Sequence, residues 1–332
     1  MGLHRDMALD LGTATVQGAV SGQGVVLREP SLAAADRQTG QVLAMGQAAR
    51  ELLDRTPGGY TALRPIQHGA AADSGVVQAM LHTFWKKGLG RCLGKPRLLL
   101  SVPTGISPVE ERALLEAALQ AGAGKVFLME APLAAALGAG LEVEGPKGQL
   151  VVTIGAGVTD GVVLAMGRVM ASVCIPAAGD KLEEALIQAV RRDHSLVLGR
   201  QTARTIKETL EPEGAMTVKG QCLTTGLPQE MDLTAALAAN AFQPVVTEIT
   251  SAIQALLEKT PPELAQDVKE NGILLTGGGS LLPGLAEAIF QAVGIPARVA
   301  PDPELCVIQG LEATLPHLNQ RKDGPLDLAK QR

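Results

Sequence analysis

Apolar residues gather in strand-length runs at the start of the chain and again near its middle. MALDLGTATVQGAV (7–20) reads as an apolar strand, a glycine–threonine turn and a second apolar strand, and VVTIGAGVTDGVVL (151–164) repeats it, with Asp10 opposite Thr153 and Gly12 opposite Gly155. A turn with little side-chain bulk lets backbone N–H groups approach a phosphate, and two such hairpins facing each other would grip a nucleotide tail from both sides. The copies differ: the first keeps an acid before its turn and the second has lost it. GQGVVLREPSLAAAD (22–36) alternates like a further strand, making the opening a β-meander. LLLSVPTG (98–105) reads as a buried strand, and Ser107, three residues before Glu110 and followed by Pro108, predicts a capping box that starts the helix PVEERALLEAALQAG. Gly122 and Gly124 stop that helix, KVFLMEAP gives another strand, and LAAALGAGL an alanine-rich helix able to pack closely on a sheet.

The second hairpin, over 151–174, restarts this scheme. Asp180 with Glu183 predicts a cap for the helix KLEEALIQAVRRD, and Thr260 with Glu263 the same device in TPPELAQDV. Residues 195–243 are more polar and punctuated by Gly and Pro, as an insertion forming a small subdomain would be. GILLTGGGSLLPGLAEAIFQAV (272–293) then sets an apolar strand, three glycines and a helix in series, which would let a ligand lie against backbone at a helix N-terminus. Strands followed by helices throughout indicate an α/β fold, and the charged tail after Leu318 is expected to fray.

A chain of 332 residues can bury two cores, and with 46% hydrophobic but only 2% aromatic residues those cores must be aliphatic. The net charge of −5 offers no general attraction to nucleic acid or anionic lipid, so such binding would need a local patch. Cys92, Cys174, Cys222 and Cys306 form no C-x-x-C pair, which points to reduced thiols rather than zinc or redox chemistry. The five histidines show no ligand spacing. The N-terminus lacks a signal-peptide core, and no apolar run approaches the ~20 residues that span a bilayer, so a cytoplasmic location is expected.

DLGTAT (10–15), RTPGG (55–59), RPIQHGAAAD (64–73), EAPLAAALGAGL (130–141), IGAGVTD (154–160), EKTPPELA (258–265) and TGGGSLLPG (276–284) together resemble the bacterial MreB family of actin homologues, in order and over nearly the whole chain. The resemblance implies an actin-like fold of two lobes, each a mixed β-sheet flanked by helices with a smaller inserted subdomain. It sets the first lobe at 1–145 (insert 33–65), the second at 146–314 (insert 183–243), and a tail at 315–332. It also implies ATP or ADP with Mg2+ in the cleft, self-assembly into filaments on the inner membrane face, and partnership with the cell-wall synthesis machinery. Carried over by position, Asp10 would organise Mg2+ through water, Gly12, Thr13, Ala14 and Thr15 form the first phosphate turn, Gly155, Ala156, Gly157, Val158 and Thr159 the second, and Lys207 with Gly277, Gly278, Gly279 and Ser280 the adenosine side.

Three departures cluster in that cleft. Where the family reads V-V-D-I-G-G-G-T-T-E this chain has Thr153, Ala156 and Val158, where it reads E-E-P the second glutamate is Ala131, and where it reads A-E-E-I-K the acids are Arg204 and Thr205. γ-Phosphate hydrolysis depends on a water held in line and on electrostatic support, neither of which valine or alanine supplies. The expectation is a nucleotide-binding filament protein with weakened hydrolysis. A slow but ordinary ATPase, a small-molecule kinase of the same superfamily and a non-filamentous scaffold are the alternatives. Finally, TFWKKGLGRCLGKPR (83–97) interleaves Trp85, Leu89 and Leu93 with five cations and no acid, as a membrane-interface segment does. A helix end with Phe84 and Trp85 in the core would look the same, and the resemblance, which implies a membrane-inserting loop here, favours the interface.

Overall fold

The structure, a computed structural model, describes residues 6–56, 58–90, 94–318 and 330–331. The first half runs β1 (Asp6–Leu11), β2 (Thr15–Val20), β3 (Gly24–Pro30), β4 (Ala33–Asp36), β5 (Val42–Met45), α1 (Gln47–Arg55), β6 (Tyr60–Leu63), β7 (Ile66–Gln67) and β8 (Ala70–Ala71). It continues with α2 (Ser74–Leu89), β9 (Arg97–Val102), α3 (Pro108–Gln120), β10 (Lys125–Glu130) and α4 (Ala131–Gly138). The second half runs β11 (Gln149–Ile154), β12 (Thr159–Ala165), β13 (Arg168–Ile175), α5 (Gly179–His194), β14 (Leu196–Val197), α6 (Arg200–Thr209), β15 (Ala215–Cys222) and β16 (Pro228–Thr234). It closes with α7 (Ala235–Lys259), α8 (Pro262–Asn271), β17 (Ile273–Thr276), α9 (Leu285–Val293), β18 (Ala297–Val299), α10 (Cys306–Thr314) and β19 (Lys330–Gln331).

The repeat in sequence is a repeat in topology. One sheet has the order β10-β9-β1-β2-β3, with β19 on its β10 edge, and the other has the order β18-β17-β11-β12-β13. In each, an antiparallel meander adjoins a parallel pair: β1 runs parallel to β9 as β11 does to β17. Small sheets of order β5-β4-β6 and β14-β15-β16 are inserted, one in each half. Of the tail expected to fray, residues 319–329 and 332 lie outside the described residues, and Lys330 and Gln331 pair with Leu128 and Phe127.

Alternation along the strands sorts side chains into three cores. Met7 and Leu9 of β1, Leu98 and Leu100 of β9 and Val16 of β2 face α2 and α3. Leu150, Val152, Ile273 and Leu275 face the helices of the second half. The intervening residues, Ala8, Ala19, Leu99, Val151, Val162 and Leu274, form a seam between the two sheets, filled by α4 and α10. Those helices cross so tightly that a Cβ on Gly138 would collide with the carbonyl of Cys306, and one on Gly310 with that of Ala134. The same strand faces carry polar side chains where the seam opens into a cleft.

Capping follows expectation in one helix and departs from it in two. Ser107 and Glu110 form the reciprocal capping box of α3. Asp180 does not cap α5: the N-cap is Ala178, and the Asp180 carboxylate instead accepts from Arg64 Nη1 at 2.5 Å. Thr260 does not cap α8 either, because its hydroxyl donates back to the Leu256 carbonyl of α7 and Pro261 takes the N-cap position. The glycine-rich segment also differs, since a 3-10 turn over Gly278–Leu281 separates the glycines from α9.

The membrane-facing assignment of Trp85 and Leu89 is overturned. Both lie in the first core, 8% and 3% exposed, and the Trp85 indole N–H donates to the Ala121 carbonyl at 2.9 Å at the end of α3. The last turns of α2 need an apolar face to pack on α3, and these residues, with Phe84, supply it. Leu93 lies outside the described residues. Among the described residues no helix is long and apolar enough to cross a membrane.

Candidate functional site

The cleft is a cavity of about 590 Å³ between the two sheets, reaching from the hairpin turns to α6 and the glycine loop. Asp10, Gly12, Thr13, Ala14 and Thr15 line it from the first hairpin, Gly155, Ala156, Gly157 and Val158 from the second, and Lys207, Gly277, Gly278 and Gly279 from the far wall. The two turns approach so closely that a Cβ on Gly157 would clash with the Thr13 hydroxyl. Thr159 and Ser280, expected at the ligand, turn away from the cavity: Thr159 Oγ1 donates to the Ala177 carbonyl and Ser280 Oγ to that of Gly277.

Asp10 is held by its neighbour strand. Ser101 Oγ donates to Asp10 Oδ1 at 2.7 Å while accepting from Leu11 N–H at 2.9 Å, which fixes the hydroxyl's direction. Burial pushes the Asp10 carboxyl up to about 6, against the lowering effect of the Ser101 bond. A buried carboxylate beside glycine-turn N–H groups offers hard oxygen to a cation and N–H groups to phosphate. Thr153, at the equivalent place in the second sheet, spends its hydroxyl on Thr276 at 2.8 Å.

Sequence reading assigned no role to several residues that shape this cleft. Asp160 on β12 is 3% exposed and accepts from both Thr104 N–H (2.7 Å) and Thr104 Oγ1 (2.5 Å), a bond that joins the two halves across the cleft. Burial pushes its carboxyl up to about 7, the Thr104 bonds oppose this, and the Glu130 charge adds to it. Arg64 with Asp180, Arg28 with Glu304, and Gln17 with the Glu304 carbonyl also cross between the halves. Registry was the available signal: pairing the first hairpin about its turn sets Gln17 directly opposite Asp10, and Arg28 opposite Gln17.

The departures noted in the sequence fall in the same cavity. Ala131 and Val158 line it, and Gly69 stands between Val158 and Pro103. Glu130 precedes α4 as its N-cap residue and is not among the cavity's lining groups. Arg204 and Lys207 both reach Glu183, at 3.1 and 2.7 Å, and Thr205 is exposed on the outer face of α6. Burial works to raise the Glu183 carboxyl, but the Lys207 and Arg204 cations outweigh it and hold it below the usual carboxylate range.

The sequence pattern of the MreB/Mbl protein family matches residues 4–323. The chain belongs to the MreB/Mbl family. It is 39% identical over 323 residues to the cell shape-determining protein Mbl of Bacillus subtilis, covering 95% of this chain and 97% of that one. To the cell shape-determining protein MreB of Escherichia coli it is 40% identical over 317 residues, covering 92% and 91%. Among solved structures, MreB5 of Spiroplasma citri bound to AMPPNP superimposes with a TM-score of 0.90 at 32% identity, covering 96% of this chain and 98% of that one. The fold is therefore the actin-like one, and the equivalence of the two sheets is its internal duplication.

Proposed function

We propose that the cleft binds an adenine nucleotide with Mg2+, that the nucleotide-bound chain polymerises into filaments at the inner face of the cell membrane to guide cell-wall synthesis, and that its ATP hydrolysis is weakened. The observation that carries this reading is one cavity lined by both glycine turns, by Asp10 and by the 277–279 glycines, in a chain whose 32%-identical relative was solved with AMPPNP. Asp10 is the carboxylate suited to hold Mg2+ through water, and the bound cation would offset phosphate charge. Weak hydrolysis follows from the wall around the phosphate turns: Val158 and Ala131 bring no group able to orient water, and the Thr153 hydroxyl is already engaged by Thr276. Of the segment over 83–97, Lys86 and Lys87 are both exposed; Lys86 is the cation we assign to anionic headgroups, while Lys87 is paired to Glu29.

The deciding experiment measures phosphate release from the polymerised full chain with Mg-ATP, beside the variant carrying Ala131→Glu and Val158→Thr. The variant is expected to release phosphate about 100-fold faster, the lower end of what a positioned proton acceptor contributes. Equal rates would remove the weakened-hydrolysis reading, and a chain that neither binds nucleotide nor sediments as polymer would remove the whole proposal. Co-sedimentation with anionic vesicles, lost on Lys86→Glu with Lys87→Glu, tests the membrane contact separately.

A further inference from the structure

We propose that Gln17 is a second residue of the cation site, its amide oxygen accepting a hydrogen bond from water on the divalent cation that accompanies the nucleotide. Gln17 lies on β2 directly opposite Asp10 on β1, so both side chains leave the sheet on the face that lines the cavity. Directly opposed residues of an antiparallel pair have Cβ atoms about 5 Å apart, the scale on which two side chains address one hydrated ion. Gln17 is 4% exposed, and its Oε1 has no hydrogen-bond partner among the described residues. A buried amide oxygen left in that state costs free energy that a donor in the cavity would relieve.

The orientation of the amide is fixed from the other end. Nε2 donates to the Glu304 carbonyl at 3.0 Å, and reversing the amide would set oxygen against oxygen, so Oε1 is the end of the amide left without a donor. An acceptor beside a phosphate cradle repels phosphate oxygens and needs a donor between. Water on a divalent cation is such a donor, and a small hard cation that keeps its waters bridges a carboxylate and an amide oxygen without direct coordination to both. The other lobe offers no second carboxylate at the place equivalent to Asp10, since Thr153 stands there bonded to Thr276. Gln17 supplies part of what that missing acid would have given.

This inference rests on the reading that the cleft holds a nucleotide with Mg2+, and the test separates the two. AMPPNP binding to the full chain is titrated by calorimetry at increasing Mg2+ and again in EDTA, for the wild type, Gln17→Leu and Gln17→Glu. Gln17→Leu is expected to raise the Mg2+ concentration at half-maximal effect by about tenfold, the lower end of the range seen for outer-shell groups of metal sites, with AMPPNP affinity in EDTA unchanged. Gln17→Glu, which returns a second carboxylate, is expected to lower that Mg2+ concentration. Melting curves of each variant verify folding. An unchanged Mg2+ midpoint in both variants overturns the inference while leaving nucleotide binding standing. Equal weakening by Gln17→Leu in Mg2+ and in EDTA overturns it too, because the oxygen would then be meeting the nucleotide itself. Wild-type protein that binds no AMPPNP in either condition removes this inference and the reading beneath it together.

Discussion

Both sheets carry the same row of four equivalent positions beside the cleft and fill it differently. Across β9, β1, β2 and β3 the row reads Ser101, Asp10, Gln17, Arg28, and across β17, β11, β12 and β13 it reads Thr276, Thr153, Asp160, Cys174. The carboxylate has moved over by one strand. In the first row it stands at the mouth of the turn, with Ser101 on one oxygen. In the second, the two threonine hydroxyls share one hydrogen bond and the acid is spent on Thr104 of the opposite lobe. A duplicated scaffold fixes where side chains point, and the residue at each point decides what it meets: Gln17 and Arg28 of the first row reach Glu304 of the other lobe, while Asp10 is held within its own sheet by Ser101.

The largest effect expected from that contrast is on nucleotide affinity. Asp10→Ala should weaken AMPPNP binding in Mg2+ by about 100-fold, the upper range for groups that organise a metal site, whereas Thr153→Ala should change it by no more than about twofold, because the hydroxyl it removes is bonded to Thr276 and carries no charge. Calorimetric titration of both variants decides. Equal losses would mean that the rows act alike and the comparison fails.

Acidification should sharpen it. The proposed cation site requires the Asp10 carboxylate to be ionised, and with that carboxyl pushed up to about 6 by burial, Mg2+-dependent affinity at the proposed site is expected to fall about tenfold for each pH unit below that value. The second row answers in stability instead. Asp160, pushed up to about 7, binds its proton more tightly folded than unfolded, so its contribution is full below about pH 4, the ordinary carboxyl value, and is lost as pH rises through 7. Asp160→Asn, permanently neutral and still able to pair with Thr104, should therefore gain on the order of 1 kcal/mol over wild type at pH 8 and nothing at pH 4. Thermal melts at the two values check this.

Much of the architecture was legible because the repeat is written in the strands themselves. The apolar runs on either side of Gly12 and Gly155 became equivalent hairpins, and Ser107 with Glu110 became a capping box. What stayed hidden depends on long-range partners. Asp180 has the local spacing of a cap, yet Arg64, 116 residues away, claims its carboxylate. Trp85 among lysines has the composition of a membrane segment, yet the indole N–H finds a carbonyl at the end of α3 and the ring completes a core. Local pattern cannot rank a nearby partner against a distant one. Gln17 and Asp160 were within reach, since counting outward from each turn sets them opposite Asp10 and Thr153.

A comparison of two single substitutions asks how far the second row holds the lobes together. Arg64 and Asp180 also bridge them, with side chains 26% and 16% exposed, so water still screens part of the attraction. Such a pair is worth about 1 kcal/mol, toward the favourable end for partly exposed ions. Removing Arg64 does not strand Asp180, because Arg204 Nη2 lies 3.8 Å from its other oxygen. Thr104→Val is the harsher change: it strips a hydroxyl from a buried carboxylate that Thr104 holds across the cleft, and bonds to buried charge contribute about 1.5–3 kcal/mol. Urea melts at pH 8, where Asp160 is ionised, should therefore show Thr104→Val losing more stability than Arg64→Ala. The reverse order would make the ion pair the principal clasp, and the carboxylate displaced onto β12 would then have some task other than joining the lobes.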